Sequence, residues 1–162
     1  MHDHPSLYPT EKPELYALLR AQLTALADDT LPQVSNLANA SALIYDALSD
    51  LNWAGFYLML GGELVLGPFQ GKTACTRIAV GKGVCGTAVA ENAIQLVPDV
   101  HAFPGHIACD SASNSEIVLP IHAPDGTVAA VLDIDSPLLA RFDEEDAAGL
   151  QSLVEILEKT CF

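Results

Sequence analysis

The stretch that decides the fold runs from Glu116 to Ser136 and reads EIVLPIHAPDGTVAAVLDIDS. It contains two apolar runs that are separated by the tripeptide PDG, which ends at Gly126. Proline, aspartate and glycine in succession are typical of a tight turn between two extended segments. The pattern therefore predicts an antiparallel β-hairpin.

Further strands and helices are predicted on both sides of this hairpin. WAGFYLML and ELVLGPF, joined by two glycines, predict a second hairpin, and TRIAV and QLVPDV predict shorter strands. GKGVCGTAVAEN predicts a glycine-rich turn that leads into a short helix. Apolar residues at helical spacing predict one helix over Leu15 to Leu26 and another over Val34 to Leu48, with DDTLPQ as the break between them. A last helix should begin near Asp143, which suits an N-cap.

Helices gathered at the ends of a mostly antiparallel sheet indicate an α+β fold. The chain has 162 residues, half of them hydrophobic, which suits one domain with one substantial core. We expect that domain over residues 13–162. Residues 1–12 are polar and contain two prolines, and we expect them to form a flexible arm.

The charge and the apolar pattern restrict the partners and the compartment. Twenty-one acidic and seven basic residues give a formal net charge of −14. Such a surface repels phosphates, so we expect neither a nucleic-acid nor a membrane partner. The sequence contains no apolar run of membrane-spanning length and no secretory signal pattern, which favours a cytoplasmic protein.

Four cysteines, Cys75, Cys85, Cys109 and Cys161, are the first candidates for chemistry. They form no C-x-x-C pair, which argues against a zinc ribbon and a thioredoxin motif. In a reducing compartment, disulfides are usually catalytic or sensing. Each thiol alone could be an incidental buried residue, but the first three lie in polar or glycine-rich turns, which favours redox chemistry. Cys161, next to the end of the chain, is interpreted as incidental.

Two aspartates end the second strand of the hairpin. Asp133 and Asp135 are two residues apart, so they should face the same side of the strand, next to the partner strand that begins at Glu116. Adjacent carboxylates repel one another, which raises the pKa of a carboxyl group and lets it act as a general acid; such acids can also bind a cation. Taken alone, the pair is more typical of a strand end that emerges into solvent.

Other motifs give weaker signals. GKGVCG matches neither of the common phosphate-binding loops, and we interpret it as a turn that carries Cys85. The histidines lack metal-ligand spacing, and His106 with Cys109 is a weak metal signal. A single tryptophan at the start of a strand, such as Trp53, is more typical of a core than of a ligand pocket.

Five segments together resemble the free methionine-(R)-sulfoxide reductases, small enzymes built on a GAF domain. These segments are LNWAGFY, LGPFQGKTAC, GKGVCGTAVA, HIACDSASNSEIVLPI and VLDIDS, within a resemblance that covers about Leu51 to Phe142. The resemblance implies a single GAF domain, a redox-active disulfide and reduction of free methionine-(R)-sulfoxide in defence against oxidative stress. It implies thioredoxin as the reductant and no cofactor or metal, and it leaves a homodimer open.

The resemblance also implies a role for each candidate residue. Cys109 would attack the sulfoxide sulfur, release methionine and become a sulfenic acid. Cys75 would be the main resolving cysteine, with Cys85 as an alternative or auxiliary thiol. The carboxyl groups that would bind and protonate the sulfoxide oxygen are those of Glu116, Asp133 and Asp135. The side chains that would line the substrate pocket are those of Trp53 and Tyr57.

Elementary chemistry agrees with these implied roles. A sulfoxide oxygen leaves poorly unless it is protonated, which a protonated carboxyl group can achieve. A sulfenic acid condenses with a second thiol to a disulfide. One conflict stays open, because nearby carboxylates should also suppress the Cys109 thiolate. Backbone donors in the loop, or proton sharing with the carboxyl groups, could each supply the activation.

Three other functions compete with a reductase. A GAF-type sensor that binds a small metabolite would need no cysteine pair. A cysteine-based redox sensor would need the disulfide but not the carboxyl groups. A structural zinc site would need metal ligands. Replacement of Glu116 by glutamine separates a reductase from a redox sensor, because the reductase should lose turnover while the sensor should oxidise as before.

Overall fold

The computed structural model describes residues 7–106 and 111–162 as four helices around one six-stranded sheet. The elements in chain order are α1 (Lys12–Leu26), α2 (Gln33–Ala47), β1 (Trp53–Leu60), β2 (Glu63–Gly71), β3 (Arg77–Ala79), α3 (Gly83–Glu91), β4 (Gln95–Val97), β5 (Ser115–His122), β6 (Val128–Ser136) and α4 (Glu144–Cys161). The strand order across the sheet is β3-β2-β1-β6-β5-β4, and all neighbouring strands are antiparallel. The predicted α+β class with an antiparallel sheet is confirmed.

The hairpin predicted from PDG is the pair β5 and β6. Its register runs from Ser115 opposite Ser136 to His122 opposite Val128. Gly126 has φ +87°, a left-handed conformation that glycine adopts without steric cost. Because β6 also pairs with β1, the hairpin lies inside the sheet, and its residues contribute to both faces of the sheet.

One face of the sheet is covered by helices α1, α2 and α4. Alternate residues of the central strands point to this side, as the period of two in a β-strand requires. They form one continuous core with the helices, in which Phe56, Leu119 and Leu132 are fully buried. The leucine pattern that predicted α1 is confirmed at Leu15, Leu19 and Leu23, all of which lie in this core.

The opposite face of the sheet is covered by α3 and the connections around it. A second, smaller apolar cluster lies there, and it includes Val84, Ala88 and Val131. Gly86 allows the close approach of α3, since a Cβ atom at this position would lie 2.4 Å from the carbonyl oxygen of Ala79. Between α3 and the sheet lies the candidate functional site.

The predicted N-cap at Asp143 is confirmed. Its carboxylate accepts hydrogen bonds from the backbone N–H groups of Glu145 and Asp146, and Asp146 completes a capping box. The Lys12 ammonium group donates to both carboxylates at 2.8 Å and 2.7 Å, and it thereby fastens the start of α1 to the start of α4.

Two details of the helices differ from the sequence pattern. Val34 lies in the first turn of α2, which begins at Gln33, and it is 58% exposed although it belongs to the apolar pattern that predicted the helix. The residues expected to form an arm are described only from Leu7 onward, and Lys12 is already helical. Tyr8 donates a hydrogen bond to Asp46 of α2. No helix within the described ranges is long and apolar enough to span a membrane.

Candidate active site

Three carboxyl groups lie together on the face of the sheet opposite helices α1, α2 and α4. Glu116 of β5 pairs directly with Asp135 of β6, and Asp135 pairs on its other side with Trp53 of β1. Asp133 lies one step further along the same face, opposite Gly55. Residues two apart share a face of a strand, which is why the sequence placed Asp133 and Asp135 together.

Burial determines the chemistry of these acids. Glu116 is 7% exposed and Asp133 is 6% exposed, so the expectation that the aspartates simply emerge into solvent is wrong for Asp133. Burial, followed by the charge of Asp133, raises the pKa of Glu116 well above its usual range. Burial also raises the pKa of Asp133, although hydrogen bonds with Glu116, Cys85 and Asp135 counteract the rise. Such a group can hold a proton at neutral pH.

Cys85 lies in the first turn of α3 and faces the same acids. It is therefore part of a helix, whereas the sequence suggested a turn. The thiol is buried and donates a hydrogen bond to Asp133. Burial, and then the charges of Asp133 and Glu116, raise the pKa of Cys85 well above its usual range. Cys85 is accordingly a neutral thiol at physiological pH and a poor nucleophile.

Two aromatic side chains of β1 form one wall of the site. Trp53 stacks on Tyr57 with a centroid distance of 5.8 Å, and on Phe69 with a centroid distance of 5.1 Å. A β-bulge in the pairing of β1 with β2 brings Phe69 over Gly55, where a Cβ atom would lie 2.3 Å from the Cβ of Phe69. Trp53 thus belongs both to the core and to the pocket, which a lone tryptophan in a sequence does not reveal.

Cys75 lies in residues 72–76, the connection between β2 and β3. It is partly buried against the second apolar cluster and is disulfide-bonded, whereas Cys85 and Cys161 are free thiols. The hydroxyl group of Tyr57 donates to the carbonyl oxygen of Cys75 at 3.0 Å, and the indole N–H of Trp53 donates to that of Lys72 at 3.2 Å. Cys161 lies at the end of α4, remote from this face.

These groups surround a cavity with a volume of about 50 Å³. The residues of its wall are Trp53, Tyr57, Thr73, Ala74, Ile78, Lys82, Gly83, Val84, Cys85, His106, Ser113, Glu116, Asp133 and Asp135. Six of the predicted site residues are therefore together here. Cys75 is not in the wall itself, but it directly follows Ala74, which is. Cys109, the predicted nucleophile, lies outside the described residues.

Lys82 and Ser113 line the cavity although the sequence did not indicate them. Lys82 precedes Gly83 at the start of α3, and it brings a positive charge to a wall that is otherwise acidic. One available signal was its position in GKGVCG, a basic residue beside a candidate cysteine in a chain with only seven basic residues. Ser113 gave no signal, because serine is common in any loop.

The donor atoms of Cys85, Glu116 and Asp133 lie within 4.8 Å of one another, a spacing that would accept a metal ion. Asp133 Oδ1 is enclosed and has no hydrogen-bond partner of good geometry in residues 7–106 and 111–162. A buried acceptor without a partner is costly, and a bound cation or an N–H donor of a ligand would satisfy it. The site is thus suited to a ligand that brings a positive charge or a hydrogen-bond donor.

Comparisons with known proteins agree with this geometry. The pattern of the GAF domain family matches residues 35–158. The chain is 57% identical to the free methionine-R-sulfoxide reductase of Escherichia coli strain K12, over 91% of this chain and 89% of the relative. It is similar to the structure of the free methionine-R-sulfoxide reductase of Neisseria meningitidis in complex with its substrate, with 47% identity, a TM-score of 0.90 and coverage of 97% and 95%.

A second solved structure gives the same result. The reduced form of the fRMsr of Staphylococcus aureus has 51% identity and a TM-score of 0.87, and the match covers 91% of this chain and 95% of that chain. Each match spans nearly the whole length of this chain and of the related protein, and it therefore includes the strands that line the cavity. The chain therefore belongs to the free methionine-(R)-sulfoxide reductase family of GAF-domain proteins.

Proposed function

We propose that this protein is an oxidoreductase that reduces free L-methionine-(R)-sulfoxide to L-methionine by thiol chemistry, with thioredoxin as the final electron donor. The observation that carries the proposal is the buried, hydrogen-bonded pair of Glu116 and Asp133 in the wall of a cavity that Trp53 and Tyr57 also line. The names of the relatives in Escherichia coli and Neisseria meningitidis support the choice of substrate.

In the first step, the Cys109 thiolate attacks the sulfoxide sulfur while a carboxyl group of the acid cluster gives a proton to the sulfoxide oxygen. The attack joins the two sulfur atoms. The S–O bond of the substrate then breaks as the oxygen passes to the Cys109 sulfur, and the S–S bond breaks as methionine leaves, so that Cys109 ends as a sulfenic acid. Cys109 is three residues from His106 and four from Ser113, which both line the cavity.

In the second step, the Cys75 thiol condenses with the sulfenic acid to form a Cys75–Cys109 disulfide and water. The position of Cys75 beside Ala74 of the cavity wall, and its presence in a disulfide, support this role. Thioredoxin then reduces the disulfide by thiol exchange and restores both thiols. Cys85 is less suited to resolution, because its buried thiol is held neutral by the neighbouring acids.

The acid cluster has a second task in this proposal. A free amino acid carries an ammonium group, and the unused Oδ1 of Asp133 offers an acceptor for it at the cavity wall. The stacked pair of Trp53 and Tyr57 offers an apolar surface for the thioether end of the substrate. The small enclosed cavity disfavours a sulfoxide within a peptide chain, since a peptide has no free ammonium group there.

A coupled assay tests the function. Consumption of NADPH is followed in the presence of thioredoxin and thioredoxin reductase, with free methionine-(R)-sulfoxide, its S epimer and a peptide-bound sulfoxide as substrates. We expect turnover of the free R epimer alone, and loss of that turnover in Cys109→Ser. Cys161→Ser is the matched control and should retain turnover. Absence of turnover with folded wild-type protein would leave a metabolite-binding GAF sensor as the better account.

A further inference from the structure

The connection between β2 and β3 carries Cys75 but has no regular secondary structure of its own. Residues 72–76 lie between Gly71, the last residue of β2, and Arg77, the first of β3. Lys72 and Thr73 are exposed, and Ala74 and Cys75 are half-buried. A segment of this kind is free to move unless other groups hold its backbone.

Two side chains of β1 hold it. The indole N–H of Trp53 donates to the carbonyl oxygen of Lys72, and the hydroxyl group of Tyr57 donates to that of Cys75. The bonds engage both ends of the four-residue stretch that ends at Cys75. Each of these side chains therefore uses its polar group on the backbone of the connection and presents its ring to the cavity.

The two donors are themselves firmly fixed. Trp53 is 3% exposed and Tyr57 is 2% exposed. Their rings stack on one another, and Phe69 of β2 also stacks on the Trp53 ring. Strand β1 lies inside the sheet, hydrogen-bonded to β2 on one side and to β6 on the other. The connection is thus tied to two buried side chains of an interior strand.

We propose that Trp53 and Tyr57 are positioning residues for the resolving step, which hold the backbone of residues 72–75 so that the Cys75 thiol stays at the cavity. This inference rests on the proposed function insofar as Cys75 resolves a sulfenic acid. It adds a task to two residues that sequence resemblance assigns to the substrate pocket only. Condensation needs two sulfur atoms in close contact. A thiol that is already held near the cavity reaches the sulfenic acid faster than a thiol on a mobile segment.

Tyr57→Phe is the sharpest variant, because it removes the hydroxyl group and keeps the stacked ring. In a single turnover with free methionine-(R)-sulfoxide and no reductant, we would measure methionine release, loss of free thiols, and sulfenic acid trapped by a dimedone-type reagent. Loss of one hydrogen bond of this kind corresponds to about a 2- to 10-fold change in the step it supports. We therefore expect disulfide formation to slow about 5-fold more than methionine release, with sulfenic acid accumulating.

Two variants frame this result. Cys75→Ser sets the limit at which the sulfenic acid persists. Tyr16→Phe is the matched control: it removes the hydroxyl group of another buried tyrosine, which donates to Asp146 on the helical side of the sheet. We expect Tyr16→Phe to lower the melting temperature and to leave both steps at wild-type rates. Equal slowing of both steps in Tyr57→Phe, or no slowing of either, would overturn the positioning role.

A measurement without substrate keeps the two proposals apart. Amide hydrogen exchange of residues 72–76 is compared by mass spectrometry in reduced wild type and reduced Tyr57→Phe, in which no disulfide at Cys75 holds the connection. We expect faster exchange in this connection alone, because a lost anchor allows it to open locally. Unchanged exchange would refute the positioning role of Tyr57, whatever result the enzyme assay gives. If exchange is faster in Tyr57→Phe but the wild-type protein does not release methionine, the hydrogen bond holds the connection as proposed and the reductase function is refuted.

Discussion

The two faces of the sheet are made by the same strands and differ in every other respect. On β6, Leu132 and Ile134 point into the helical core, and Asp133 and Asp135 point to the cavity. The helical side is closed and apolar, whereas the cavity side contains two buried acids whose charged forms are disfavoured. The larger apolar core therefore lies on one face and the candidate active site on the other, and residues one position apart along the chain belong to different faces.

The largest effect should come from the cavity face. Glu116→Gln keeps the size of the side chain but cannot give a proton, and general acid catalysis contributes about 10²- to 10⁴-fold to a rate. We expect turnover of free methionine-(R)-sulfoxide to fall by about that factor while the protein remains folded. The coupled NADPH assay measures the first and circular dichroism the second.

Glu63→Gln is the control for this prediction, because Glu63 is partly exposed at the start of β2, away from the cavity. It should retain wild-type turnover. Full activity of Glu116→Gln would show that the acid cluster is not the proton source, and it would favour a redox sensor that oxidises without a substrate.

The next effect should come from the helical face. Leu132 is fully buried and lies between Phe56 of β1 and Leu119 of β5 in the register of the sheet. Leu132→Ala leaves a cavity, and such substitutions cost about 2–5 kcal/mol of unfolding free energy. We expect a loss of about 3 kcal/mol in urea denaturation.

Asp133→Asn is the matched partner, one residue away on the other face. We expect its unfolding free energy at neutral pH to equal or exceed that of wild type, because the amide removes a buried group whose charged form is unfavourable. A loss of unfolding free energy in Asp133→Asn as large as that in Leu132→Ala would show that the two faces do not differ in their contribution to stability.

The acid cluster should also give stability a particular pH dependence. The pKa values of Glu116 and Asp133 are raised in the folded protein, so the folded state holds protons that the unfolded state releases. Their contribution is fully present below the unfolded carboxyl pKa, about 4, and it is lost as the pH rises through the folded values. We expect the melting temperature of wild type to fall more steeply, as the pH rises above about 4, than that of a Glu116→Gln, Asp133→Asn double variant.

The start of α4 behaves in the opposite way. The Lys12 ammonium group and the backbone N–H of Asp146 lower the pKa of Asp143 to about 2. This contribution is present above the unfolded carboxyl pKa and is lost as the pH falls toward about 2. Because Asp143 is largely exposed, solvent screens the interaction and its effect on stability is small. The pH slope near neutrality therefore reports the cavity face, and a double variant with the wild-type slope would contradict this assignment.

The smallest effect should come from the edge of the sheet. Arg77 of β3 forms an ion pair with Glu63 at 3.3 Å, and the Arg77 side chain is 76% exposed. Exposed ion pairs contribute about 0–1 kcal/mol. We expect Arg77→Ala to change the unfolding free energy by less than about 0.5 kcal/mol and to leave turnover unchanged. A larger loss in urea denaturation would show that the short edge strand β3 matters for the fold.

The sequence alone predicted most of the architecture, and the resemblance carried by its motifs named most of the candidate residues that the structure brings to the cavity. Turn residues at Gly126, helical spacing from Leu15 and the cap at Asp143 are local signals, and local signals suffice to place strands and helices. The spacing of Asp133 and Asp135 placed both on one face, because side chains alternate along a strand whatever surrounds it. Resemblance supplied the family, which the comparisons then confirmed.

Only the tertiary structure decided which of these residues are buried and what their polar groups contact. Burial of Asp133 depends on α3, which packs over the strand from a different part of the chain. The bonds from Trp53 and Tyr57 to the connection that carries Cys75 join residues 18 and 19 positions apart. Side-chain environment is a property of such distant contacts, and pKa values and anchoring follow from environment. A pattern along the chain therefore predicts that Asp133 and Asp135 share one face of a strand, but not their burial, their protonation or the contacts that hold the neighbouring connection.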